Sequence, residues 1–227
     1  MLAIAGQGDF GPVCVGSFRD EPLIVSNSGS CSLSVSAITS SAADFQPATV
    51  EAYPLVIAPG TAVGVPVRFA PTSYGAKTAT LTVDSDGAGG AKTLAVSGRA
   101  PSGKLAVTGS AYFGEVDFGF AERVINVCNV GECPLHVSCV DFSRPRRHFR
   151  LLGNPFPATV APGSSLKVVI KYEASCDPEC CELVIRSDDP DDPVRVLDVV
   201  AFTRCRPLPH GEPRRRAPLE SDTQPGV

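Results

Sequence analysis

The chain has 227 residues, enough for one large domain or for two domains of about 100 residues each. Hydrophobic residues make up 43% and charged residues 19%, which excludes a largely disordered chain. The net charge of −4 argues against a general nucleic-acid-binding surface, and no apolar run approaches the roughly 18 residues of a membrane-spanning helix. The 21 glycines and 21 prolines are typical of many short strands joined by turns.

An internal repeat organises the chain. Five motifs of the first half recur in the second, in the same order and at nearly constant spacing. The pairs are 9–13 with 112–116, 27–35 with 129–137, 58–60 with 161–163, Phe69 with Tyr172, and 81–85 with 183–187. We therefore predict module 1 at residues 1–101, module 2 at residues 102–205, and a flexible tail at residues 206–227.

Within each module the apolar residues alternate with polar ones, as in half-buried strands. Leu33, Val35 and Ala37 alternate with serines, and Leu81 and Val83 alternate with threonines. Because no stretch has a helical period, we predict an all-β fold of two tandem immunoglobulin-like β-sandwiches, each with seven to eight strands. The predicted core residues are Phe10, Leu33, Val35, Phe45, Phe69, Leu81 and Val83 in module 1, and Phe113, Leu135, Val137, Phe149, Tyr172, Leu183 and Ile185 in module 2.

These motifs, taken as a set, resemble the Hydin-type immunoglobulin-like domain, also called the ASH or MSP-like domain and found in bacterial "choice-of-anchor D" proteins. The resemblance covers about residues 8 to 203. The motifs that carry it are Asp9-Phe10-Gly11-x-Val13, Asn27-x-Gly29-x-x-x-Leu33-x-Val35, Phe69-Ala70-Pro71 and Val96-x-Gly98-x-Ala100. Module 2 departs from the pattern at 172–174, at its cysteine-rich segment 176–181, and at Val200-Ala201.

The resemblance implies a scaffold or interaction role. We therefore expect a non-catalytic structural or protein-interaction module, part of a larger surface or scaffold assembly, with a protein partner and neither a nucleic-acid partner nor a membrane span. Open sheet edges suit the addition of a partner strand. Members of the family imply either an exported or cell-surface bacterial protein, which we favour, or a cytoplasmic or ciliary one. Carbohydrate binding is disfavoured, because the chain has no Trp and only four Tyr.

The residues offer little for catalysis. None of the three histidines, His136, His148 and His210, lies near a plausible nucleophile in the sequence, so we expect no enzyme and no cofactor. The acidic segment 188–193 fits a hairpin turn better than a calcium loop. Arg144, Arg146, Arg147 and Arg150 form a basic loop that is either a solvated loop or a contact for an anion or a partner protein.

Seven of the nine cysteines lie in module 2. We expect Cys128 and Cys133, which flank the 129–131 turn, to face module 1, and Cys181 to be buried. A hairpin with Ser187 opposite Val194 would bring a second group together at the other end of module 2. That group is Cys139, Cys176, Cys180 and Cys205.

This group allows disulfides, a zinc site or free thiols. The alternative function is therefore a metal- or redox-responsive binding module that uses this cluster.

Overall fold

Eighteen strands and no helix occur in the residues that the computed structural model describes, which are 1–47, 53–144, 147–175 and 179–203. Module 1 contains β1 (Leu2–Gly6), β2 (Asp9–Pro12), β3 (Arg19–Asn27), β4 (Leu33–Ser40), β5 (Phe45–Pro47), β6 (Leu55–Ile57), β7 (Ala62–Phe69), β8 (Gly75–Ser85) and β9 (Lys92–Ala100). Module 2 contains β10 (Leu105–Gly109), β11 (Tyr112–Glu115), β12 (Phe120–Asn129), β13 (Leu135–Phe142), β14 (Phe149–Leu152), β15 (Ala158–Val160), β16 (Ser165–Glu173), β17 (Glu179–Ser187) and β18 (Val194–Phe202).

Each module packs a four-stranded sheet against a five-stranded sheet. The orders are β1-β3-β7-β5 and β2-β9-β8-β4-β6 in module 1, and β10-β12-β16-β14 and β11-β18-β17-β13-β15 in module 2. Module 2 repeats the strand order of module 1 in both sheets, which confirms the tandem immunoglobulin-like sandwiches. The described residues give nine strands per module instead of seven to eight, partly because the opening strand is split. Its first half, β1, pairs antiparallel with β3, whereas its second half, β2, pairs parallel with β9 of the other sheet.

The predicted core is confirmed in both modules, since all fourteen predicted side chains are buried. Three aromatic rings that contact each other edge-to-face, tilted or stacked lie at the centre of each sandwich. In module 1, the ring of Phe45 lies 5.3 Å from that of Phe10 and 4.6 Å from that of Phe69. In module 2, Tyr172 replaces the third phenylalanine, and its hydroxyl lies 3.1 Å from the Thr203 hydroxyl. This hydrogen bond satisfies the one polar atom that the replacement adds to the core.

A β-bulge changes the parity of the third long strand in both modules. The register shifts between Val35 and Ala37 in β4, and between Val137 and Cys139 in β13. The inward-facing residue after the bulge is therefore Ile38 in module 1, so the expected alternation through Ala37 was wrong by one position.

The described part of the chain contains no helix that is long and apolar enough to cross a membrane. Strand β9 ends at Ala100 and β10 begins at Leu105. The exact division at residue 101 stays a prediction, and the tail at 206–227 lies outside the described residues.

Candidate functional site at the junction of the modules

The connection between the modules, residues 101–104, lies along one turn of module 2. We call the end of each sandwich that carries this Asn-x-Gly turn its near pole, residues 27–31 in module 1 and 129–133 in module 2. The opposite end, which carries the loop 13–18 or 116–119, is the far pole. The backbone N–H of Glu132 donates to the Ser102 carbonyl at 3.3 Å, and that of Val130 donates to the Lys104 carbonyl at 2.9 Å. The connection is therefore bonded to the near pole of module 2 along its backbone.

One buried asparagine organises this near pole. The Asn129 side-chain amide donates to the carbonyls of Cys133 and Val160, both at 2.8 Å. Its carbonyl accepts from the N–H groups of Gly131 at 2.9 Å and Lys104 at 3.1 Å. A Cβ on Gly131 would lie 2.5 Å from the Lys104 nitrogen, so only glycine allows this close approach. The four bonds fix the turn, the cysteine that follows it and the inter-module connection relative to each other.

Asp189, at the tip of the β17–β18 hairpin, also holds the connection. Its buried carboxylate accepts from the Leu105 N–H at 2.7 Å and lies 3.4 Å from the Lys104 ammonium. Burial alone would raise the pKa of Asp189, but the N–H groups of Leu105 and Asp191 and the charge of Lys104 together hold that pKa below its ordinary value.

The other carboxylates of the acidic segment also bond to protein groups. Asp188 accepts from the His136 N–H at 2.8 Å, and Asp192 accepts from the Arg195 guanidinium at 2.6 Å. Among the described residues, no group of three or more His, Cys, Asp or Glu side chains is placed to hold a metal ion. The acidic segment therefore has the structural role of a hairpin turn.

The two modules are joined by a disulfide and by an ion pair. Cys14, in the far-pole loop of module 1, is bonded to Cys133 at the near pole of module 2, with the two Cα atoms 5.8 Å apart. Beside the disulfide, Arg99 and Glu132 form a bidentate ion pair. The two guanidinium nitrogens of Arg99 donate to the two carboxylate oxygens of Glu132 at 2.7 Å and 2.6 Å. The hydrogen bonds from Arg99 lower the pKa of Glu132 and raise that of Arg99.

A tyrosine of module 1 also faces this end of module 2. The pKa of Tyr74 is raised first by burial and then by the negative charges of Asp188 and Asp189.

The expectation that Cys133 faces module 1 is confirmed by its disulfide. The partner, Cys14, was not anticipated.

Two members of the cysteine cluster expected at the far pole of module 2, Cys176 and Cys205, lie outside the described residues. The hairpin register was wrong by one residue, because the Ser187 N–H donates to the Pro193 carbonyl at 3.0 Å, so Pro193, not Val194, lies opposite Ser187. Proline can fill this last ladder position because only its carbonyl is needed there.

Two further members of the cluster are separated, contrary to expectation. Cys139 lies opposite Arg186, six positions along β17 from Cys180, or roughly 20 Å at the usual rise per residue. The bulge and the register together place it at mid-strand instead of at the pole. Cys180 is exposed, and Cys181 is buried as predicted.

The basic loop is exposed where it is described. Arg144 and Arg147 extend into solvent, Arg150 lies 3.7 Å from Glu173, and Arg146 lies outside the described residues. Arg144 and Arg150 line one shallow groove with Phe142 and Asn154. The arrangement fits a solvated loop with one charge partner as well as an anion contact, and the anion contact stays a prediction.

The functional residues that the sequence did not reveal are Cys14, Arg99, Glu132 and Asp189. Cys14, Arg99 and Glu132 act across the junction, and Asp189 holds the connection from 84 positions away, so no local periodicity marks these residues. One usable signal was present in the repeat, because Cys133 occupies the same place in its module as Cys31 in the other. This repeated position marks a place where both modules present a thiol beside the same turn.

Comparison with known proteins supports the domain type. Residues 3–93 match the family model described as abnormal spindle-like microcephaly-associated, ASPM-SPD-2-Hydin, abbreviated ASH. Module 1 therefore matches the Hydin-type immunoglobulin-like domain that this family model describes, and module 2 repeats its strand order. This domain type indicates a non-catalytic interaction module. No curated protein matches the sequence significantly.

Solved structures with similar folds are distant. A protein of unknown function from Porphyromonas gingivalis is 18% identical, with a TM-score of 0.38, covering 88% of this chain and 99% of that one. The secreted serine protease VesC from Vibrio cholerae is 15% identical, with a TM-score of 0.37, covering 76% of this chain and 46% of that one. The two-domain DIP-gamma IG1+IG2 is 10% identical, with a TM-score of 0.31, covering 90% of this chain and 98% of that one. None of these likenesses bears on function.

The lowered pKa of Asp189 predicts a pH dependence of module 2 stability. A carboxyl group whose pKa is lower in the folded state stabilises the fold above its ordinary value of 3.8, and this contribution is lost as the pH falls through the folded pKa. We expect D189N to lower the free energy of unfolding by about 1 to 2 kcal/mol at pH 6, because it weakens a hydrogen bond to a charged group. Thermal unfolding from pH 6 to pH 2 should show this difference shrinking, whereas E182Q, at an exposed glutamate, should follow the wild type. An equal deficit of D189N at every pH would refute the assignment.

Proposed function

We propose that this chain is a non-catalytic structural or protein-interaction module, part of a larger surface or scaffold assembly, that works as one stiff two-domain unit in an oxidising compartment. The observation that carries the proposal is the inter-module disulfide between Cys14 and Cys133. Linked domains usually move relative to each other unless something fixes them. A covalent bond, an adjacent ion pair and a hydrogen-bonded connection restrain the joint at three places.

The disulfide also supports the choice of compartment. Disulfides persist in secreted, periplasmic and cell-surface proteins and are rare in the cytosol, where thiols are kept reduced. We therefore favour an exported or cell-surface location over a cytoplasmic or ciliary one.

Partner contact is better suited to the loops than to the sheet edges. The strands at the sheet edges, such as β5, β6, β14 and β15, have only three or four residues, whereas β8 in the sheet interior has eleven. Short edges limit the addition of a partner strand. Exposed aromatic side chains gather instead at the far pole of module 2, where Phe118 and Phe120 are 79% and 61% exposed. We place protein contact there, since exposed apolar groups of this kind mark interaction surfaces.

A stiff joint predicts that the two modules tumble in solution as one body. We expect NMR relaxation to give both modules of the oxidised protein one shared rotational correlation time. In C14S/C133S the modules should tumble partly independently, so the correlation time falls toward that of a single module, while each keeps its fold because each has its own core. The E132Q protein, which keeps the disulfide, is the matched control and should tumble as one body. Equal correlation times in wild type and C14S/C133S would contradict a joint held by the disulfide.

The alternative, a metal- or redox-responsive module built on Cys139, Cys176, Cys180 and Cys205, stays a prediction. The separation of Cys139 from Cys180 weakens it, and the other two residues lie outside the described part of the chain. Zinc analysis of the purified protein before and after chelation would decide it. A stoichiometric zinc ion lost together with thiol protection would favour the alternative.

A further inference from the structure

The near pole of module 1 has the same hydrogen-bonded geometry as the near pole of module 2, to which module 1 is bound. The Asn27 side-chain amide donates to the carbonyls of Cys31 at 2.8 Å and Ile57 at 3.0 Å. Its carbonyl accepts from the Gly29 N–H at 3.0 Å and from the Met1 ammonium at 3.1 Å. These are the four bonds of Asn129 in module 2, contact for contact, with Met1 in the place of Lys104. The same bonds therefore fix the backbone of Cys31 and of Cys133.

The two equivalent cysteines differ in what covers them. Cys133 is buried and bonded to the neighbouring module, whereas Cys31 is exposed and carries a free thiol. In module 2, the cysteine at this position forms the disulfide that binds the neighbouring domain. Module 1 presents the same position, held by the same bonds, to solvent.

We propose that Cys31 forms a disulfide with a cysteine on the far-pole loop of another immunoglobulin-like domain, which docks on module 1 as module 1 docks on module 2. This inference extends the proposed function, since it also requires an oxidising compartment. The two thiols lose two protons and two electrons as the sulfur–sulfur bond forms. The electrons pass by thiol–disulfide exchange to a protein or glutathione disulfide, which is reduced to two thiols.

The partner is a different domain rather than the far pole of a second copy of this chain. The residue of module 2 that matches Cys14 is Asp117, because the Val13 and Val116 N–H groups bond to the matching carbonyls of Arg99 and Phe202. The same match places Phe202 where module 1 has Arg99. At the two matching positions a second copy would therefore present the carboxyl group of Asp117 and the ring of Phe202, so a partner that docks in the same way must supply the thiol.

A designed pair of proteins tests the site. The plug protein is C31S/D117C/F202R, which gives the far pole of module 2 the two residues that module 1 uses at the junction. The socket protein is the wild-type chain. The two are mixed in a buffer of reduced and oxidised glutathione, separated on a non-reducing gel, and digested for identification of disulfide-linked peptides by mass spectrometry.

We expect the introduced thiol to link to Cys31 at least about tenfold more than to the exposed Cys180, because docking raises its effective concentration only at the near pole. The socket variant S30E should raise the yield, since it places a carboxylate where module 2 has Glu132. The matched control, C31S/E122C, presents a thiol on an exposed strand face and should show no preference for Cys31.

Equal linkage to Cys31 and Cys180, or equal linkage by the control protein, would overturn the proposal. The Cys14–Cys133 peptide in the same digest separates this failure from a failure of the proposed function. If the plug protein digested alone also contains this peptide, it is folded, and a missing Cys31 link then overturns the inference alone. Absence of the peptide from the wild-type chain overturns the stiff joint as well.

Discussion

Replacing Leu183 by alanine will destabilise module 2 by about 2 to 5 kcal/mol, the usual cost of removing a fully buried leucine. Leu183 is completely buried in the five-stranded sheet, between its ladder partners Leu197 on β18 and Phe142 on β13. The cost has two parts, the lost transfer of the side chain out of water and the cavity that stays behind. Its counterpart Leu81 in module 1 should give a cost in the same range.

The measurement uses a tyrosine that belongs to the same core. Tyr172 is fully buried in module 2, whereas Tyr53 and Tyr74 of module 1 are 39% and 41% exposed, so urea unfolding followed by near-ultraviolet circular dichroism reports mainly on module 2. Since each module has its own core, the transitions must be fitted separately. V196A, at a 47% exposed position of the same ladder, is the matched control and should change stability by no more than about 0.5 kcal/mol. A cost of L183A as small as that of the control would show that the inward face of β17 is misassigned.

The cores were predictable from the sequence because strand parity is a local property. Leu81 and Val83 alternate with threonines, and the repeat carries this parity to Leu183 and Ile185 in module 2, where Val184 interrupts the alternation. Parity failed at the β-bulge after Val35, where one extra residue turns Ala37 away from the core and places Ile38 in it. Alternation alone does not reveal the extra residue of a bulge, because the sequence from Leu33 to Ala37 still alternates between apolar and polar residues.

The junction was only partly predictable, because it depends on how two domains are oriented. The turn at 129–131 indicated that Cys133 faces module 1, but nothing near Cys14 in the sequence identifies it as the partner. The hairpin turn is held by bonds of its own side chains, since the Ser187 hydroxyl donates to the Asp192 carbonyl and the Asp189 carboxylate accepts from the Asp191 N–H. The Asp189 carboxylate also accepts from the Leu105 N–H, 84 positions away. Contacts between residues more than 80 positions apart leave no trace in local periodicity.

Asn129 to alanine is the second substitution with a large expected effect, roughly 2 to 4 kcal/mol on module 2. Alanine would leave the carbonyls of Cys133 and Val160 and the Lys104 N–H without their side-chain partner at a buried site. Each buried polar group that loses its partner costs roughly 1 to 3 kcal/mol, and entry of water recovers part of the sum. N126A, on the same strand but with one 3.3 Å bond to Thr108, is the matched control and should cost at most about 1 kcal/mol.

The same substitution should also loosen the joint, because Asn129 is bonded both to the carbonyl of disulfide-bonded Cys133 and to the inter-module connection at Lys104. In N129A, amide hydrogen exchange should rise at Gly131 and Lys104, which lose their acceptor, while the core strands of module 1 keep wild-type protection. The equivalent N27A should affect module 1 alone, since its bonds run to Cys31, Ile57, Gly29 and Met1. If N129A and N126A were equally stable, or if exchange at Lys104 were unchanged, the asparagine would not be the residue that couples the turn to the junction.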